Sequence, residues 1–250
     1  MNHHAAQSPG MSAAEAFHAE LAHSSAAGDD PELLPDRLAR ACVTVLPVDG
    51  AGLSMMLVPD RRLPLGASDP TAAAAERLQF ALGDGPCTAA HRERRLVVAV
   101  DEDLAARWPV YASQFATQTP YRMTLALPVG GPLTGSVVID LYRYRPGRPA
   151  PGVLAAVGEV ANACGTVLST ALAEESDVVL GLPAALRSLP VTARRQVWQA
   201  IGIVSAQRGV DASTALAVLR GFAFGQDADL ETIAAGVMGG EVEVPRTLPD

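Results

Sequence analysis

Residues 83–115 read GDGPCTAAHRERRLVVAVDEDLAARWPVYASQF, and the order of signals within them decides the fold. GDGPC (83–87) is a glycine-proline turn. CTAAHRERR behind it suits a helix with a basic end, where arginines favour the C-terminal dipole. LVVAVDED (96–103) opens as a continuous apolar run and reads as a strand. Arg107–Gln118 then reads as a helix, with Trp108 as a packing anchor ahead of Pro109. Turn, helix, strand and helix in so short a span describe one flank of a mixed α and β layer.

Working outward, helices are expected over 12–23 and 31–46. In the second, Leu34, Leu38, Ala41, Cys42 and Val45 recur at helical spacing on one face. DGAGLSMMLVPD supplies a strand at about 51–58, and Asp69-Pro70 starts a helix over 71–82. Downstream, Tyr121–Val129 and Ser136–Tyr144 read as strands joined through Leu133–Gly135 as a hairpin. This order predicts an α+β domain, an antiparallel sheet flanked by helices. A long helix follows over Val153–Glu175. Leu154, Val157, Ala161, Cys164, Leu168 and Ala171 form an a/d seam on it, and Val153, Val160 and Val167 a neighbouring stripe. Either both stripes bury into the first domain, or one faces a second subunit.

SDVVLGLPAALRSLP, with Gly181, Pro183 and Pro190, reads as a connection over 176–190. Three helices are expected behind it, over 192–208, 212–224 and 229–238. Their apolar stripes are Val197, Ala200, Ile201 and Val204; Ala215, Val218, Leu219 and Phe222; and Leu230, Ile233, Ala234 and Val237. Asp211 and Asp229 are candidate N-caps, and Gly209 and Gly239-Gly240 candidate stops. The expected plan is a flexible start over 1–11, a domain over 12–175, the connection, a three-helix module over 191–240 and a tail over 241–250. So small a module is marginal unless it docks or dimerises.

Composition narrows the function. The chain has 250 residues, 49% hydrophobic and 18% charged, with a net charge of -8, which argues against nonspecific nucleic-acid affinity for the whole chain. All 19 basic residues are arginine. Cys42, Cys87 and Cys164 form no CxxC pair, and MNHHAAQSPG is no signal peptide, so a cytoplasmic protein is expected. No apolar run of about 18 residues lacks a charge or turn former, so no membrane span is expected. GxSxG, HExxH, Walker and GxGxxG patterns are absent, and with them the expectation of an enzyme or of a bound cofactor. Cys87 and His91 share a helical face at i, i+4, with no further Cys or His nearby to complete a metal site.

The block from Gly83 to Phe115, with TPYRMTLALPV and GSVVIDLY, resembles the GAF domains of actinobacterial sensor-regulators. Those carry a G-[DE]-G-P-C turn before a helix, a strand ending in acidic residues and an R-W-P helix. The C-terminal block resembles the ANTAR domain, a three-helix module that binds paired RNA hairpins and blocks transcription termination. Arg194, Val197, Gln199, Ala200 and Gly202 fit its R-x-x-I-x-Q-A-K-G opening. Gly209, Ala215, Leu219 and Arg220 fit its middle, and Leu230 and Ala234 its third helix. The two resemblances span roughly residues 14–240. Two departures stand out: Ile201 occupies the lysine position, and Gln226-Asp227-Ala228-Asp229-Leu230 replaces a basic N-R-K-L approach.

The resemblance implies a homodimeric transcription regulator in which a GAF sensor is coupled to RNA antitermination. It implies Arg194, Arg195, Gln199, Arg208 and Arg220 as RNA contacts. Phe80, Cys87, Trp108 and Tyr121 are candidates for lining a site for a small apolar ligand. The departures open an alternative, an interaction or dimerisation regulator whose module has lost RNA binding. Cyclic-nucleotide, haem, bilin and phosphoacceptor signatures are absent.

Overall fold

A computed structural model describes residues 10–26, 34–57, 61–174, 178–179, 182–183 and 189–244. Residues 1–9 of the start expected over 1–11, residues 245–250 of the tail expected over 241–250, and most of the expected connection lie outside the described residues. The chain divides into two compact units, Met1–Ser188 and Leu189–Asp250.

The first unit is α+β, built on a five-stranded sheet with neighbours antiparallel in the order β2-β1-β5-β4-β3. The strands are β1 Gly50–Leu57, β2 Arg61–Ala67, β3 Val97–Val100, β4 Met123–Pro128 and β5 Val137–Arg143. Side chains alternate between the two sheet faces. Ala51, Leu53, Leu63, Leu65, Leu125, Ile139 and Leu141 are buried on one face. Helices α1 (Ala13–Ala26), α2 (Leu34–Val45) and α7 (Pro151–Glu174) pack as a layer, α2 on β1 and β2 and α7 on β4. The other face carries Met56, Val97, Ala99, Ala126, Val138 and Tyr142, in one core with residues of α3 (Pro70–Leu82), α4 (Pro86–Glu93), α5 (Asp101–Arg107) and α6 (Pro109–Gln118). Asp69 caps α3 by accepting from Thr71 N at 2.8 Å and Ala72 N at 3.0 Å. Gly83 (φ 74°) and Gly85 (φ 149°) make the GDGPC turn in backbone conformations that side chains disfavour.

Three elements differ from the sequence expectation. RRLPLGA is a strand, although two arginines, a proline and a glycine hide it. β2 lies at the sheet edge, where proline is tolerated, and Pro64 pairs with Ser54 beside a bulge whose extra residue is Leu65 of β2. The strand expected over 96–103 stops at Val100. Asp101, Glu102 and Asp103 instead form the first turn of α5, where carboxylates favour the helix dipole, and Asp103 accepts from Val100 N at 3.2 Å. The helix expected from Arg107 starts at Pro109, because Trp108 leaves the helical conformation (φ -139°) between α5 and α6.

In α7, Val157, Val160, Ala161, Cys164 and Leu168 are buried, while Glu159, Asn162, Thr166 and Thr170 are exposed. Members of both predicted stripes are thus buried within this unit. By length and composition Pro151–Ala173 also passes as a membrane span; here it packs on α1 and the sheet. The expected connection holds a two-residue ladder, β6 Val178–Val179 with β7 Leu182–Pro183.

The second unit is three helices, α8 Leu189–Arg208, α9 Ala212–Gly225 and α10 Leu230–Gly239. Val197, Ala200, Ile201 and Val204 are buried, as are Leu230, Ile233, Ala234 and Val237. In α9 the buried side is Ala215, Leu216, Leu219 and Ala223, with Val218 and Phe222 at its edge. Asp211 caps α9, accepting from Thr214 N at 2.8 Å, and Asp229 caps α10, accepting from Thr232 N at 2.6 Å. Gly240 (φ 72°) ends α10 in the left-handed conformation.

Candidate functional site

Strand β1 offers one bare face to the helices above it. Gly50 and Gly52 alternate onto the side that carries Tyr142 and Asp140 of β5. A Cβ on Gly52 would lie 2.4 Å from Glu76 Oε1, and one on Gly50 would lie 2.1 Å from Tyr121 Oη. Only glycine lets Glu76 of α3 and Tyr121 reach the sheet there.

Arg62 of β2 lies at the centre of what this bare face admits. It donates through Nη1 to Glu76 O at 2.6 Å, through Nη2 to Glu76 Oε2, and through Nη2 to Asp140 Oδ2 at 3.1 Å. Its Nε points at Cys87 Sγ, 3.2 Å away. Glu76 also accepts from Ser54 Oγ at 2.8 Å and from Tyr142 Oη at 2.5 Å. Gln79 donates to Tyr142 Oη at 3.3 Å and accepts from Cys87 N at 2.9 Å, which ties α3 to the start of α4. None of Arg62, Glu76, Asp140, Ser54 and Gln79 is more than 3% exposed. Charges buried this deeply persist only when paired and hydrogen-bonded.

One guanidinium serves two carboxylates, so the cluster has one negative charge too many. Burial pushes the Asp140 carboxyl up to about 8; the Glu76 charge adds to this, and Arg62 partly offsets it. At neutral pH Asp140 therefore holds a proton. Burial likewise pushes the Cys87 thiol well up despite Arg62 beside it, so this cysteine is no nucleophile. Asp140 Oδ1, Thr124 Oγ1 and Tyr111 Oη are buried without a hydrogen-bond partner. The rings of Tyr111 and Phe115 stack 5.0 Å apart, and those of Tyr121 and Tyr142 4.9 Å apart. Such an arrangement can take up or release a proton at Asp140.

Of the ligand-lining candidates, Cys87 touches Arg62 directly. Trp108 and Tyr121 belong to the same core, with the Arg107 guanidinium 4.3 Å over the Trp108 ring. Phe80 is buried but is not part of that core. Sequence reasoning missed Arg62, Glu76 and Asp140. The available signals were a charge inside each of two apolar stretches, LSMMLVPDRRLPLG and VVIDLY, and two glycines at i, i+2 in one strand. Arg92 pairs with Asp84 at 3.3 Å and Arg95 with Glu93, so the RERR run is the solvated end of α4. A cleft of about 500 Å³ elsewhere in the unit is lined by His18, Leu21, Leu34, Arg37, Val167 and Thr170 among others. Among the described residues no group of three or more His, Cys, Asp and Glu is placed to hold a metal.

In the second unit, Gln199 is exposed and Arg208 and Arg220 are half-buried. The side chains of Arg194 and Arg195 lie outside the described residues. Ile201 is 2% exposed, in the core stripe of α8. Asp229 is a helix cap, and exposed Asp227 takes a left-handed conformation (φ 50°) that a short polar side chain tolerates. From Gln196 to Val244 there are two arginines and six carboxylates.

No protein-family model matches this chain, and no curated protein does. Solved structures similar to it include a domain of a two-component sensor histidine kinase protein from Sinorhizobium meliloti, at 15% identity and a TM-score of 0.47, covering 59% of this chain and 96% of that one. The GAF domain of a phosphoenolpyruvate-protein phosphotransferase from Acinetobacter has 12% identity and a TM-score of 0.45, covering 65% and 96%. The corresponding GAF domain from Coxiella burnetii has 13% identity and a TM-score of 0.49, covering 67% and 98%.

Proposed function

We propose that the chain is a cytoplasmic, non-catalytic regulator that works as a homodimer. Its first unit is a GAF-type sensor, and its second an ANTAR-like module acting on paired RNA hairpins. The observation that carries this reading is the second unit's construction. Its three helices start and stop at Gly209, Asp211, Asp229 and Gly240, the caps and stops that the sequence offers, and Gln199 of the matched opening is exposed. The buried Arg62–Glu76–Asp140 cluster of the first unit is the candidate input, since a small polar guest or a proton changes its charge balance. RNA affinity draws heavily on phosphate neutralisation. The test is a binding shift of a two-hairpin RNA across a salt series. Salt-sensitive binding is expected; none even at low salt removes the reading.

Burial of Ile201 favours a second reading, in which the module serves docking and no longer binds RNA. The family's lysine position is spent on the core of α8, and the described surface carries more carboxylates than arginines. Natural protein that binds RNA as tightly as a variant with basic residues at 228 and 229 excludes this second reading.

A further inference from the structure

The last described residues, Glu241–Val244, run back along the second unit. Glu241 N and Val242 N both donate to Gly236 O, at 2.8 and 3.0 Å. Val242 presses on Gly236, where a Cβ would lie 2.5 Å from Val242 Cγ2. Two residues further, Val244 O accepts from Arg208 Nη2 at 2.9 Å. Val242 and Val244 are half-buried while Glu241 and Glu243 are exposed, the period-two pattern of an extended segment with its apolar side inward. The bonds to Gly236 O are what a helix ending in a left-handed glycine makes anyway. The Arg208 bond and the alternation of valine and glutamate are not required for that cap. They tie the tail to the C-terminal end of α8.

We propose that Glu241–Val244 is an autoinhibitory strap. It engages Arg208, one of the residues offered to RNA, through the Val244 carbonyl, and it carries the exposed carboxylates of Glu241 and Glu243. An approaching phosphate meets an arginine already bonded to a carbonyl, on a segment with two exposed carboxylates. The inference rests on the RNA reading above, and its test separates the two.

The binding of a fluorescent two-hairpin RNA is compared, over a salt series, for the full chain, a chain ending at Gly240 and the variant E241Q/E243Q. Removing the strap is expected to raise affinity about tenfold at low salt, the scale of one charge-assisted contact. The dependence of log K on log salt should steepen by about 0.7–0.9 for the regained phosphate contact. E241Q/E243Q keeps the strap and its backbone bonds, so it gains a smaller share and does not depend on how the shortened chain folds. Adding Arg208→Gln to the shortened chain should cancel its gain. Equal affinity of the full chain, the shortened chain and E241Q/E243Q overturns the strap alone, as does a gain that survives Arg208→Gln. No binding by any form at low salt overturns the strap and the RNA reading together.

Discussion

Arg62 on β2 donates to Asp140 on β5 at 3.1 Å, across the strand β1 that separates them. Gly52, Asp140's partner on β1, carries no side chain, and the space this leaves is taken by Glu76, the other carboxylate that Arg62 meets. Around this pair the first unit places ionised groups where most folds place only hydrocarbon.

Removing the guanidinium leaves Glu76 buried without its cation. Arg62→Met is expected to destabilise the first unit by about 3–5 kcal/mol, the cost of breaking a buried ion pair from one side. Urea unfolding followed by circular dichroism measures it. The triple variant R62M/E76Q/D140N, which removes all the charges together, should recover a large part of that loss. A triple variant no more stable than Arg62→Met contradicts the charge account.

Asp140 makes stability depend on pH in a particular direction. Its carboxyl is raised to about 8 when folded, from an ordinary 3.8. Between those values the folded chain binds a proton that the unfolded chain releases, so stability falls as pH rises. The contribution is fully present below about pH 4 and lost by about pH 8. Asp140→Asn should flatten this part of the profile, measured as unfolding midpoints across pH. Asp211 acts in the opposite sense: its carboxylate accepts from Ser213 and Thr214 and is lowered to about 2. Its contribution exists above pH 4 and fades as pH falls toward 2.

Gly52→Ala forces a methyl against the Glu76 carboxyl. Overpacking of this kind costs about 1–3 kcal/mol, and the tightly held carboxylate leaves little room to yield. A thermal melt unchanged by Gly52→Ala shows that Glu76 can move aside and that the cluster is looser than its hydrogen bonds imply.

Ile201→Lys restores the lysine of the resembled family at a site that is 2% exposed. Losing a buried isoleucine side chain costs about 1.5–3 kcal/mol, and burying an ammonium adds to this. The second unit should therefore unfold earlier while the first is unaffected, visible as a separate transition in calorimetry. A stable Ile201→Lys variant means that α8 turns Ile201 outward in solution.

Apart from α5, the helices of both units were legible in the sequence, through regular apolar spacing and, at several ends, Asp caps and Gly stops. Val197, Ala200, Ile201 and Val204 are the clearest case. The sequence also made β1, β4 and β5 legible, as apolar runs between turn formers. β2 was not legible, since an edge strand tolerates Pro64 and spends Arg62 on a partner two strands away. The site was hidden for the same reason. Arg62, Glu76 and Asp140 come from three separate elements, and nothing local to any of them announces the others. The acidic trio 101–103 misled in a different way, because carboxylates that open a helix also look like the end of a strand.

What is proposed for the second unit depends on its acting on RNA. Cross-linking the full-length protein to cellular RNA and sequencing what is bound tests this most directly, alongside a variant with Arg194, Arg195 and Gln199 replaced by alanine. The account predicts recovery of paired hairpins with the natural protein and their loss from the variant. The same RNAs recovered at the same yield from both, or none from either, would contradict it.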